Sequence, residues 1–198
     1  MLEIRIHGYG GQGTVTLAEL MAFTQLKLGK YVQTLPFFGM ERRGAPVKTA
    51  MRLSYEDIVL RSQVYRPQLL IVLSEGLAPT ALQQGLHDYG VLLVNRTHDQ
   101  EIVDSSCGRV LPVCSVDAWG IAREHNLILT GQPLINIPMF GASAKLLGLS
   151  EEDVVRSIAN KWPVGNEPSV QAALQAYKTL RGIEALPFVD EWKGRMPA

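Results

Sequence analysis

This chain of 198 residues is poor in the side chains that carry covalent, redox or metal chemistry. It has only two cysteines, Cys107 and Cys114, and they are too far apart for a C-x-x-C zinc knuckle or an iron–sulfur run. Both are expected to be free, partly buried thiols in a reducing compartment. The four histidines, His7, His87, His98 and His125, form no H-x-x-x-H or H-E-x-x-H pattern, so no metal site is visible. A G-x-S-x-G nucleophile elbow and a Walker lysine are missing as well. No apolar run approaches the ~20 residues of a membrane span. The opening Met-Leu-Glu-Ile-Arg-Ile enters a strand pattern at once, without the basic start and apolar core of a signal peptide. Neither sign of charge dominates, with 19 basic and 19 acidic residues, which gives no support to a nucleic-acid binder. The expectation is a cytoplasmic protein with neither a membrane nor a nucleic acid as partner.

What is present is an ordinary apolar share of 46%, enough for one sizeable core. Leu2, Ile4 and Ile6 alternate with Glu3 and Arg5, a strand that runs into glycines at Gly8. Thr14 to Lys30 carries Leu17, Leu20, Met21, Thr24 and Leu28 at helical spacing. Short strands are expected at Tyr31 to Thr34 and Val47 to Leu53. Leu69 to Leu73 and Val91 to Asn95 are unbroken apolar runs, typical of strands buried on both faces. A helix is expected over Pro79 to Tyr89, closed by Gly90, and a third parallel strand over Val110 to Val113. Asp117 caps a helix through His125, and Phe140 to Leu147 is helical after a turn at Asn136 to Met139. Ser150 caps the next helix, with acids in its first turn, and Ser169 to Leu180 forms the last. This alternation predicts an α/β, Rossmann-like three-layer sandwich with a largely parallel central sheet. The domain is expected to span residues 1–182, with residues 183–198 as an extended tail that packs on another surface.

Two stretches stand out. Gly8-Tyr9-Gly10-Gly11-Gln12-Gly13 satisfies G-x-G-x-x-G between a strand and a helix, where free backbone N–H groups can meet a phosphate. The same glycines would serve equally if they only allowed the sharp turn. A dinucleotide site also needs an acid about 20 residues on to hold the ribose, and no acidic residue lies between Glu19 and Glu41. The second stretch, Glu41-Arg42-Arg43-Gly44, is framed by Pro36 and Pro46 and follows Phe37-Phe38-Gly39. Two guanidiniums there can neutralise a polyphosphate or clamp a partner's carboxylates, and the exposed Phe-Phe pair suits a docking surface. A solvated surface turn with Glu41 paired to an arginine remains the alternative.

Four motifs, in the same order, resemble the gamma subunit of 2-oxoacid:ferredoxin oxidoreductases. They are the glycine turn, Phe38-Gly39-x-Glu41-Arg42-Arg43-Gly44-Ala45-Pro46-Val47, Arg61-Ser62-Gln63-Val64 and Asn136-x-Pro138-Met139-x-Gly141. That family includes pyruvate and 2-ketoisovalerate ferredoxin oxidoreductases and phenylglyoxylate dehydrogenase. The resemblance implies an accessory domain of a complex that decarboxylates a 2-oxoacid on thiamine diphosphate. Electrons then leave through iron–sulfur clusters, and the acyl group passes to coenzyme A. It makes Gly8, Gly10, Gly11, Gln12, Gly13, Glu41, Arg42, Arg43 and Gly44 the candidates for the coenzyme A side of the pocket, with no catalytic residue on this chain. Thiamine diphosphate, Mg2+ and the clusters belong to the alpha, beta and delta-type partners, with ferredoxin or another acceptor downstream. In keeping with that, the chain has no Gly-Asp-Gly stretch for thiamine diphosphate and no grouped cysteines.

The sequence departs from the family pattern at Phe38, where serine is frequent, and at Met40, where proline is. A bulkier, more apolar loop suits a larger acyl pocket, as an aromatic 2-oxoacid would need. Two other readings stand beside the leading one: a purely structural assembly subunit, and a stand-alone nucleotide-binding oxidoreductase.

Overall fold

The computed structural model describes residues 1–37, 44–104 and 108–182. In chain order its elements are β1 (Leu2–Tyr9), α1 (Thr14–Lys27), β2 (Tyr31–Phe37), β3 (Pro46–Ser54), β4 (Leu69–Val72), α2 (Ala78–Gln83), β5 (Val91–Asn95), β6 (Val103–Asp104), β7 (Arg109–Val110), β8 (Val113–Val116), α3 (Ala118–Glu124), β9 (Ile128–Leu129), β10 (Gln132–Pro133), α4 (Asn136–Leu146), α5 (Glu151–Lys161) and α6 (Glu167–Thr179). The main sheet has the order β2-β3-β1-β4-β5-β8. β1, β4, β5 and β8 pair in parallel, whereas β3 is antiparallel to both β1 and β2. Only β3 therefore runs against the rest, and the largely parallel sheet expected from the alternating pattern is borne out.

The two faces of the sheet are covered unequally. Ile4, Ile6, Leu69, Ile71, Leu93 and Val116 look toward α1, α3, α4 and α6 in one large core. Leu70, Val72, Leu92 and Val94, on the alternate positions, form a smaller core with Leu77, α2, Leu86 and Leu111, against which Tyr9, Ile102 and Val113 pack. Burial on both sides explains why β4 and β5 are continuous apolar runs. On the thick side, α4 and α6 cross at backbone contact: a Cβ on Gly141 would lie 1.9 Å from the Ala173 carbonyl oxygen.

Several boundaries differ from the sequence expectations, each for a local reason. α1 stops at Lys27 because Gly29 turns the chain at φ 75°, which leaves Leu28 exposed. β2 continues through Phe37, whose ring lies 5.0 Å from the Lys48 ammonium, so Phe37 belongs to the sheet edge. Phe38 lies outside the described residues. The third parallel strand is Val113–Val116, not Val110–Val113; Pro112 has no N–H to give the ladder, and Arg109–Val110 pairs with β6 instead. α4 begins at Asn136, because Pro138 is tolerated in a first turn where N–H groups have no intrahelical partner. The Ser150 cap is a full capping box with Asp153, and the Asp117 side chain accepts from Gly120 N, both as expected.

The expected helix from Pro79 to Tyr89 is cut to Ala78–Gln83, and the cause lies across the sheet. β1 turns Glu3, Arg5 and His7 to the thin face. The Arg5 guanidinium, 2% exposed, donates to the carbonyls of Ala81 at 2.8 Å, Gln84 at 3.1 Å and Gly85 at 2.7 Å, and to Tyr65 O at 3.1 Å. Carbonyls left over at the end of a helix thus find a buried cation. Its Nε donates to His7 Nε2 at 2.9 Å, which requires a neutral imidazole acceptor. Burial first, then the nearby Arg5 and Lys48 charges, push His7 down to about 3. Burial lowers Arg5 to about 10, which leaves it charged at neutral pH.

A second buried arginine does similar work on β3. Arg52 pairs with Glu3 at 2.8 Å and donates to Gln33 Oε1 at 2.8 Å, Ser62 Oγ at 3.4 Å and Gln63 O at 3.3 Å. The Arg61-Ser62-Gln63-Val64 segment is thereby an anchor that closes a loop over the thin face.

Replacing Arg5 with methionine strips several buried carbonyls of their donor and should cost about 2–4 kcal/mol in a denaturant titration. His7 gives a pH dependence of defined sign. Its folded pKa lies below the unfolded value of 6.5, so its contribution is complete above 6.5 and is lost as pH falls toward about 3. Between those limits the stability of the wild type should fall more steeply with acid than that of His7→Gln, by up to about 1.4 kcal/mol per pH unit. Parallel slopes for the two proteins would show that His7 is not buried neutral.

Candidate functional site

β1 delivers its last residues into the glycine turn, and the turn is shaped by what surrounds it. A Cβ on Gly8 would lie 2.8 Å from Leu73 Cδ1 and from Thr14 Cγ2, so the strand passes the next strand and α1 without room for a side chain. Gly11 and Gly13 have φ of 94° and 79°, a region favoured by glycine. Gly13 caps α1, which has no side-chain cap and no acid in its first turn. The positive end of that helix is left for an anion.

Gln12 fastens the turn. Its Oε1 accepts from Tyr9 N at 2.8 Å, and its Nε2 donates to Ser74 Oγ at 2.8 Å, tying the turn to the end of β4. Gly10 N donates to Ala45 O at 2.9 Å, which joins the glycine turn to the chain just after the arginine loop. Ser74 thus serves the turn and does not cap the helix that follows.

Around this turn opens a cleft of about 710 Å³. It is lined by Tyr9, Gly10, Gly11 and Gln12 with the adjoining Gly44, and by Trp119 and residues of the β9–β10 hairpin. It sits at the carboxyl ends of the parallel strands, where open α/β sheets bind ligands. The Trp119 indole is half-buried and lies 5.5 Å from the Arg123 guanidinium. The hairpin turns through Thr130 and Gly131 at φ 48° and 79°, the two positive values of a type I′ turn. Further along the same edge, Glu75 lies 3.1 Å from His98 and 3.8 Å from Arg96, and Asn95 bridges Leu73 O to Ala118 N.

Of the residues singled out in the sequence, Gly10, Gly11, Gln12 and Gly44 line the cleft, and Gly8 and Gly13 shape the backbone beneath it. Glu41, Arg42, Arg43 and Met40 lie outside the described residues, as do Cys107 and the tail 183–198. Trp119 and the stretch 129–134 are cleft residues that the sequence reading missed. A Thr-Gly pair between Ile128-Leu129 and Gln132-Pro133 is a hairpin signal, but one too short to show which cleft it borders. Cys114 is a buried thiol whose pKa burial pushes up to about 12, and it donates to Gly182 O. Among the described residues no three His, Cys, Asp or Glu side chains gather to hold a metal ion. No described helix is long and apolar enough to cross a membrane.

The two positive-φ glycines should differ on substitution. A Cβ on Gly13 would lie 2.8 Å from the Asn136 amide, whereas one on Gly11 would meet nothing within 4 Å. Gly11→Ala should therefore cost only backbone strain, about 1 kcal/mol, and Gly13→Ala about 2–3 kcal/mol, read by denaturant midpoint. Equal costs would mean that the approach of α4 to the turn is not tight.

Comparison with known proteins places this architecture. The family model for pyruvate ferredoxin/flavodoxin oxidoreductase matches residues 3–179. Pyruvate synthase subunit PorC of Methanothermobacter thermautotrophicus is 40% identical over 187 residues, covering 92% of this chain and 98% of that protein. The pyruvate/ketoisovalerate oxidoreductases common subunit gamma of Thermococcus kodakarensis is 38% identical over 181 residues, covering 89% and 96%. The crystal structure of pyruvate oxidoreductase subunit PORC from Thermotoga maritima is similar with a TM-score of 0.73 at 28% identity, covering 91% of this chain and 97% of that one. Matched over nearly its whole length in family model, sequence and fold, the chain belongs to the pyruvate ferredoxin/flavodoxin oxidoreductase family, as the gamma subunit of an oxidoreductase complex.

Proposed function

We propose that this gamma subunit forms one side of the coenzyme A pocket of a 2-oxoacid oxidoreductase and docks that pocket against the thiamine-binding subunits. One observation carries the reading: the uncapped start of α1 and the chain leaving the arginine loop meet at one cleft, joined by the Gly10 N to Ala45 O hydrogen bond. Coenzyme A brings a pyrophosphate and a ribose phosphate, so it needs backbone donors and fixed positive charge together. Its adenine and pantetheine arm also want an apolar wall, which Trp119, Leu129 and Leu134 supply. A cleft of about 710 Å³ lies within the usual range for cofactor sites.

The sheet order argues against a dinucleotide. In a dinucleotide fold, the strand beside the first one ends in the acid that holds the ribose. Here β3 stands between β1 and β2 and runs the opposite way. Gln33, near where that acid would fall in the sequence, is already bonded to Arg52 and to Leu60 O.

In this proposal thiamine diphosphate, Mg2+ and the iron–sulfur clusters sit on alpha, beta and delta-type partners, which carry the decarboxylation and the electrons to ferredoxin. This chain binds and orients the acyl acceptor and moves no proton or electron. The complex works in the cytoplasm, and residues 183–198 pack on a partner subunit. Glu41 to Gly44 belong to the coenzyme A side of the pocket, with Arg42 and Arg43 as its electrostatic clamp.

In the assembled complex, Arg42→Glu with Arg43→Glu should raise the apparent KM for coenzyme A by about tenfold or more, with the subunits still co-eluting. If the complex instead falls apart on size-exclusion chromatography, the loop is a structural link between subunits. An unchanged KM in an intact complex would remove the arginines from the pocket.

A further inference from the structure

β2 ends the main sheet, and among the described residues no strand pairs with its outer side. The hydrogen bond from Gly10 N to Ala45 O fixes which backbone groups face that side. It makes Gly10 and Ala45 a bonded pair, so by alternation Val47, Thr49, Met51 and Leu53 of β3 also bond to β1. Lys48, Ala50, Arg52 and Ser54 then serve β2, through Phe37, Leu35, Gln33 and Tyr31. That leaves the N–H and C=O of Val32 and Thr34, and the C=O of Pro36, pointing outward. Pro36 takes no bond from the sheet, because its missing N–H falls on the free side.

Edge strands are normally guarded by charge, proline, a bulge or a covering segment. β2 carries no charged side chain, its register with β3 has no bulge, and Pro36 guards one end only. Two clefts of about 510 and 450 Å³ run beside it and share Gln33, Asp57 and Ile58, so they form one groove along the strand. The exposed apolar side chains of Leu26, Tyr31 and Val59 line this groove, with those of Leu28 and Leu60 next to them in the chain. An apolar margin beside unpaired strand backbone suits a protein contact made by strand addition.

The strand is complementary to itself. A second copy turned antiparallel about Thr34 sets Thr34 against Thr34, Val32 against Pro36, Gln33 against Leu35 and Tyr31 against Phe37. Thr34 N–H then donates to Thr34 O in both directions, and Val32 N–H to the Pro36 carbonyl of the other copy. Threonine pairs and aromatic pairs are favourable cross-strand neighbours. Charge agrees with this direction. Asp57 reaches the Tyr31 end of the groove, whereas Arg61 lines only the part by Gln33 and Leu35. Neither has an ion-pair partner among the described residues. Antiparallel pairing brings Asp57 of one copy toward Arg61 of the other; parallel pairing sets like charge beside like.

We propose that β2 is a self-association edge, at which two copies of this chain join β2 to β2 antiparallel about Thr34 and make one continuous sheet across a two-fold axis. No β2 residue lines the large cleft, so the proposal stands apart from the coenzyme A reading.

Sedimentation equilibrium of the full chain at micromolar concentration should show a dimer. Thr34 is exposed in the single chain, so Thr34→Lys should leave circular dichroism and thermal midpoint unchanged. It sets two ammonium groups against each other and should weaken the dimer at least about tenfold. Asp57→Arg and Arg61→Asp should each weaken it, and combining them should recover most of the loss. Thr34→Cys should give a disulfide-linked dimer under mild oxidation, because a bonded antiparallel pair holds its Cα atoms about 5.5 Å apart. The wild type, run alongside, should stay unlinked. A monomer at these concentrations, a dimer indifferent to Thr34→Lys, or one that Thr34→Cys does not link overturns the proposal. If the chain is insoluble without its companions, the Thr34→Cys oxidation is run in the assembled complex and must still join two copies of this subunit. Release of a different subunit by Thr34→Lys, with no such link, would give the edge to that chain and overturn self-pairing.

Discussion

The site depends on how closely backbone segments approach one another at the end of β1. Gly8 passes Leu73 and Thr14, Gly10 bonds to Ala45, and Gly13 lies under the Asn136 amide, in each case without a side chain between them. Five parts of the chain are drawn together there: β1, the end of β4, the start of β3, α1 and α4. A glycine gives up more conformational entropy on folding than other residues, so this turn cannot be held by itself. It is held from outside, by the Gln12 side chain clipped to Ser74 and Tyr9 and by helices packed on the thick face. The rigidity of the pocket floor is borrowed from the core.

The thin face poses the opposite problem. Among the described residues its apolar cluster is the smaller one, built on β4 and β5 with α2, Leu77, Leu86 and Leu111, and no side chain of β3 or β2 belongs to it, so the seal over the rest of the face comes from elsewhere. Two arginines fill that role. Burying a guanidinium is costly unless its donors are satisfied. Arg52 meets a carboxylate, a side-chain amide and a backbone carbonyl. Arg5 meets carbonyls at the end of α2 and a neutral imidazole. Each thereby ties the sheet to a segment that would otherwise have little reason to stay, and the price is the strongly lowered basicity of His7.

This division of labour fits a subunit that lends binding surface to chemistry done elsewhere. Among the described residues, His7, Arg5, Lys30 and Cys114 titrate far from their usual values; burial is the largest cause for each, and none of them lines the large cleft. Among the described residues, the cleft is lined by backbone, a phenol, a hydroxyl, amides, an indole and aliphatic surface. Such groups can position a ligand.

Much of this was legible in local pattern. Alternation in β1, unbroken apolar runs in β4 and β5, the Ser150 capping box and the glycine turn are each written within a few consecutive residues, because strand, helix and turn preferences are short-range. The G-x-G-x-x-G spacing marked the turn that borders the cleft, whereas Arg42 and Arg43 lie outside the described residues. Tertiary structure alone decided the rest. α2 ends early because Arg5, from a strand far away in the chain, takes its carbonyls. The hairpin beside Trp119 became a cleft wall only when the fold brought it to the same cleft as Tyr9. Asn136 came to lie over Gly13 only through the packing of α4 on α1. Sequence determined which residues could make each element and where the chain could bend. Contacts between residues far apart in the chain decided what those elements enclose, since proximity in space is set by the shared core and not by neighbours in the chain.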